Sequence, residues 1–73
     1  MSKESMTFED WAEVIEARLG SAAARPLEAA LQAIRLFPGE GYLLVLAGYA
    51  ALVGGRPDIA FHFMKRFDKH FFP

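Results

Sequence analysis

Two histidines, His62 and His70, are the side chains best suited to proton transfer or metal ligation, and they stand eight residues apart in "FHFMKRFDKH". On a helix that separation is about 12 Å of rise, too far for both to hold one ion without ligands from elsewhere. There is no cysteine to act as a nucleophile or thiolate ligand. Ser2, Ser5 and Ser21 fall in expected tails or loops with no recognisable base beside them. The stretch "VGGRPD" is glycine-rich, but a phosphate cradle needs a strand feeding a helix, and a lysine followed by serine or threonine. Here the glycine pair follows an apolar run and reads as a helix stop. The expectation is a chain with no catalytic residue, no cofactor site and no metal site, and therefore not an enzyme.

Charge offers a different chemistry. His62, Lys65, Arg66 and Lys69 recur at helical spacing beside phenylalanines, a pattern that could lay cations along a nucleic-acid backbone. Asp58 and Asp68 dilute the stripe, and the formal net charge of −1 gives no global attraction to a polyanion. Nucleic acid is accordingly the secondary partner class. At the opposite end Glu4, Glu9, Asp10, Glu13 and Glu16 crowd together, so an acidic first helix could meet a basic last helix, in the same copy or another.

The elements that carry these residues must be built by a chain of 73 residues with 53% apolar composition and no disulfide to staple it. A single small domain of that size has a marginal core. The run "GYLLVLAGYAALVGG", residues 41 to 55, has no charge, yet a bilayer span needs about 20 apolar residues, and this run contains four glycines and is followed by Arg56 and Pro57. No membrane span is expected. The opening "MSKESMTFEDW" lacks the basic-then-apolar order of a secretory signal, so a cytoplasmic location is the default.

Punctuation divides the chain into four helices with almost no strand signal, and the fold class expected is all-α, one domain over residues 1–73. Residues 1–6 are expected to form a flexible tail. Thr7 is placed to cap the first helix, with Glu9 and Asp10 near the positive end of its dipole. Phe8, Trp11, Ala12, Ile15 and Leu19 share one stripe, and Glu9, Glu13 and Glu16 turn away from it. Pro26 opens the second helix, with Leu27, Ala30, Leu31, Ile34 and Phe37 as its apolar face, before a stop at Pro38-Gly39. The third helix, about Glu40 to Val53, is apolar on every side and belongs in the middle. The fourth begins at Pro57 and continues to about Phe71, with Ala60, Phe63, Met64, Phe67 and Phe71 on one stripe. Short connections favour antiparallel neighbours, hence a first hairpin over 7–37 and a second over 40–72.

An internal echo supports two hairpins: "ARPLEAALQAI" and "GRPDIAFHFMK" share Arg-Pro and an alanine three residues after the proline, 31 residues apart. The second hairpin resembles a tetratricopeptide repeat, a helical hairpin of about 34 residues. Leu44 stands at the usual tryptophan, Ala47 and Gly48 at the Leu-Gly pair, and Ala60 with Met64 at the alanine and aromatic. Pro38 in "LFPGEGY" looks like the junction between repeats. Ala51 replaces the usual tyrosine, Met64 the usual aromatic, and Pro73 comes one residue late. The first hairpin fits less well, with Pro26 where an alanine would keep the phase.

The resemblance implies stacked hairpins whose helices approach closely at Gly48 and Ala60. It also implies a non-catalytic protein-protein interaction module, a small chaperone or adaptor that masks an amphipathic segment or self-associates. Its inner wall would be Tyr42, Val45, Tyr49 and Leu52, unless the first helix and Trp11 cover that face. Phe61, Phe67, Phe71 and Phe72 spread around the last helix and cannot all enter one core, so they join the expected partner-binding surface. A protein partner or a homo-oligomer is expected to cover it.

Overall fold

The computed structural model describes residues 6–71, with side chains described through residue 69. These residues form an all-α fold of four α-helices, with no strand among them. The helices are α1 (Phe8–Arg18), α2 (Pro26–Leu36), α3 (Gly41–Val53) and α4 (Pro57–Phe71). A short 3-10 turn, Ala22–Ala24, lies between α1 and α2.

Local chemistry sets the helix ends. The Thr7 hydroxyl accepts the Asp10 amide at 3.2 Å, and the Asp10 carboxylate accepts the Thr7 amide at 2.9 Å, a reciprocal capping box. Pro26 occupies the first turn of α2, where its missing amide costs nothing. Arg25 precedes it with φ 55°, a left-handed conformation unusual for a residue with a Cβ. At the end of α3, the Gly55 amide donates to the Leu52 carbonyl at 3.0 Å and the Arg56 amide donates to the Ala51 carbonyl at 2.8 Å. Gly55 has φ 73°. This pair of reversed bonds satisfies the last carbonyls and turns the chain into α4.

The packing makes two stacked hairpins. α1 lies against α2, α3 lies against both of them, and α4 packs extensively on α3 alone. The Cα trace spans 36 × 26 × 14 Å, and its short dimension fits two helix layers at the usual spacing of about 8–10 Å. α3 is therefore central, as its all-round apolar surface requires: Leu43, Leu44, Leu46, Ala47, Gly48, Ala50 and Ala51 are buried.

The core is built largely from small side chains. Ile15 and Leu43 are the largest fully buried residues, while Ala30, Ala33, Ala47, Ala50 and Ala51 are equally inaccessible. Trp11, Ile34 and Phe63 complete the filling. Alanine lets the helices approach closely, and each such residue contributes little transfer free energy.

Three sequence expectations need correction. Met6, assigned to a flexible tail, is half-buried and packs against the core cluster; residues 1–5 lie outside the described residues. Leu31, expected on the inner face of α2, is 42% exposed, and Ala29 and Ala33 are buried instead. Met64, expected in the stripe of Ala60 and Phe63, is 60% exposed. On α2 the buried arc is taken by alanine and Ile34, and on α4 by Ala60 and Phe63, which turns Leu31 and Met64 outward.

Candidate interaction groove

α3 and α4 meet along Gly48 and Ala60. A Cβ built on Gly48 would stand 4.0 Å from the Ala60 carbonyl oxygen, its nearest neighbour. The two residues do face one another, yet that distance is ordinary van der Waals contact. The hairpin has room for a methyl group at position 48.

On the side of this hairpin away from α1 and α2 lies a groove of about 400 Å³. Val45, Gly48, Tyr49 and Leu52 of α3 form one wall, Met64, Phe67 and Asp68 of α4 form the other, and Leu44, Ala60 and Phe63 reach its floor. Tyr49 is 58% exposed and Leu52 55% exposed, so the rim is apolar and accessible. Phe67 is half-buried and packs on the core cluster, which anchors this wall to the core. Phe61 stands beside the groove, 59% exposed, with the Lys65 ammonium 5.0 Å above its ring. The side chain of Phe71, and Phe72 altogether, lie outside the described residues.

Tyr42 departs from the expected wall. Its hydroxyl donates to a Glu16 carboxylate oxygen on α1, and its ring meets Phe8 edge-on at 6.4 Å. Phe8 in turn meets Phe37 at 6.5 Å. The bond to Glu16 raises the Tyr42 phenol above its ordinary value, helped by partial desolvation and by the carboxylate charge. So α1 covers the Tyr42 end of the face through Phe8 and Glu16, whereas Trp11 sits in the core and leaves Val45, Tyr49 and Leu52 open.

Trp11 has a feature of its own. Its indole Nε1–H is buried with no hydrogen-bond partner among the described residues. It adjoins a crevice between α1 and α2 lined also by Met6, Val14, Arg18, Glu28 and Gln32.

The cationic residues stay on the surface. His62, Lys65, Arg66 and Lys69 are all exposed, and together with Asp68 they edge a shallow depression on α4. His62 lies edge-on to Phe63 at 5.5 Å. The described ion pairs are local, Arg25–Glu28 at 3.6 Å and Arg56–Asp58 at 3.4 Å. The Arg56 guanidinium holds the Asp58 carboxyl below the usual carboxylate range, against a smaller opposing effect of desolvation. No ion pair among the described residues joins the acidic face of α1 to the basic side of α4. Among the described residues no three acidic, histidine or cysteine side chains gather as metal ligands, and no helix is long and apolar enough to cross a membrane.

Comparison with family models, with curated proteins and with solved structures finds no match in any of the three.

Proposed function

We propose that this chain is a non-catalytic protein-protein interaction module, a small chaperone or adaptor of tetratricopeptide-like build acting in the cytoplasm. Its binding surface is the apolar groove between α3 and α4. The observation that carries the reading is that one accessible concavity collects Val45, Tyr49, Leu52 and Met64 above a floor of Leu44, Ala60 and Phe63. Grooves of this kind take the apolar face of an amphipathic helix, and a tyrosine on the rim contributes contact area while its hydroxyl stays wet. Nucleic acid binding through His62, Lys65, Arg66 and Lys69 is the weaker reading, because Asp68 interrupts the stripe and Lys65 is engaged over Phe61.

Titration of the full chain with the neutral apolar dye Nile red tests the reading. Fluorescence enhancement is expected for the unmodified chain in dilute solution, where the groove is open, lost in Leu52→Asp and in Met64→Asp, and kept in Leu36→Asp, which alters an exposed leucine of α2. Enhancement that survives both groove substitutions would place the apolar surface elsewhere. Salt-dependent retention on single-stranded DNA, abolished by Lys65→Glu with Arg66→Glu, would favour the nucleic-acid reading instead.

A further inference from the structure

The two hairpins can be compared through the repeated Arg-Pro that opens α2 and α4, 31 residues apart. Ala30 and Ala33 of α2 are fully buried in the cluster that α1 and α3 complete. Their counterparts on α4, Phe61 and Met64, are larger, apolar and about three-fifths exposed. The positions that a neighbouring helix covers in the first hairpin are thus bare in the second.

The same face carries both halves of a fit. Phe61 projects beside the groove with the Lys65 ammonium over its ring, and Asp68 is, among the described residues, the one charged side chain that lines the groove. Phe61, Met64 and Asp68 follow steps of three and four residues, the spacing of a seam between two packed helices. Phe61 and Asp68 are seven residues apart, about 10 Å along the helix.

Resting on the reading of the groove as the interaction surface, we infer that its occupant is a second copy of this chain, docked across a two-fold axis with the two α4 helices antiparallel. With the axis passing between Met64 and Lys65, Phe61 of each copy comes level with Asp68 of the other and enters its groove. The Lys65 ammonium, held at the level of Phe61, is thereby delivered to the opposite Asp68, twice by symmetry. A parallel pairing would set Asp68 against Asp68, like charge on like. The interface therefore joins an apolar knob to an apolar groove and a cation to an anion on one self-complementary patch.

The test is light scattering and sedimentation equilibrium of the full chain and its variants. The unmodified chain is expected to reach dimer mass as concentration rises. Phe61→Asp is expected to hold it at monomer mass with unchanged helicity, because this exposed side chain is not part of the core. Lys65→Asp and Asp68→Lys each place like charges across the axis and are expected to raise the dimer dissociation constant at least about tenfold. Mixing the two variants in equal amounts is expected to restore association, because each chain then offers the charge the other lacks. Contacts within one chain cannot produce that rescue. A mixture no tighter than its components overturns the antiparallel pairing. A chain that stays monomeric yet binds Nile red through Leu52 overturns the second copy and leaves the groove intact; a monomer that binds no dye overturns both.

Discussion

Leu43 and Leu52 lie nine residues apart on α3, and the same truncation at each should have very different consequences. Leu43 is fully buried, whereas Leu52 is 55% exposed on the groove rim. Leu→Ala removes three carbon atoms, worth about 2–2.5 kcal/mol if all leave water on folding. At Leu43 a cavity is added between α3 and the first hairpin, bringing the expected loss to about 3–5 kcal/mol. A domain of this size rarely has more than about 3–5 kcal/mol in total from its core, so Leu43→Ala should unfold most of the population at room temperature. Leu52→Ala forfeits less than half of the transfer contribution and leaves an open notch instead of a cavity, so about 1 kcal/mol or less is expected. Urea titration followed by far-ultraviolet circular dichroism, in dilute solution where association is negligible, measures both. Equal losses at the two positions would refute the reasoning, because they would mean that the Leu52 face is buried within the monomer.

Three further outcomes follow from particular residues. Gly48→Ala should stabilise α3 by about 0.5–1 kcal/mol, since a Cβ there meets nothing closer than 4.0 Å, while Gly55→Ala at φ 73° should cost about 1–2 kcal/mol; thermal melts distinguish the two signs. Trp11→Phe should cost less than about 1.5 kcal/mol in urea titration despite the burial of Trp11, because the deleted Nε1–H donates to no described group and its removal offsets part of the lost packing. The Tyr42 phenol, raised by its bond to Glu16, stabilises the fold fully below the ordinary tyrosine value of 10.0 and loses that contribution as pH rises through the folded value. Stability should thus fall above about pH 10 more steeply in the unmodified chain than in Tyr42→Phe, as read by urea midpoints across that range.

Helix ends were legible wherever one residue type decides them: Thr7 as a cap, Pro26 and Pro57 in first turns, and the Gly54-Gly55 stop. The central place of α3 was legible too, because a helix apolar on all sides must be enclosed. The buried face of α2 was legible in part: Ala30 and Ile34 are buried and Leu27 and Phe37 pack against the core where periodicity assigns them, but Ala29 and Ala33 are buried and Leu31 is left outside. Met64 escaped as well, since it lies one helical step from Phe63 and is equally apolar. The turn of Tyr42 toward α1 depends on a contact across 26 residues with Glu16, which no local pattern encodes. Of the inner wall that the tetratricopeptide resemblance implied, Val45, Tyr49 and Leu52 line the groove and Tyr42 does not, while the α4 wall required knowing which side of α4 meets α3.

The claim on which the account rests is that the outer face of α3 and α4 is the surface that meets another molecule. Amide chemical-shift mapping of the isotopically labelled full chain, from dilute to concentrated solution, addresses it most directly. The account predicts concentration-dependent shifts gathered at Val45, Tyr49, Leu52, Phe61, Met64 and Asp68, with α1 and α2 unmoved. Shifts centred on the acidic face of α1, with the outer face of α3 and α4 unmoved, would contradict it.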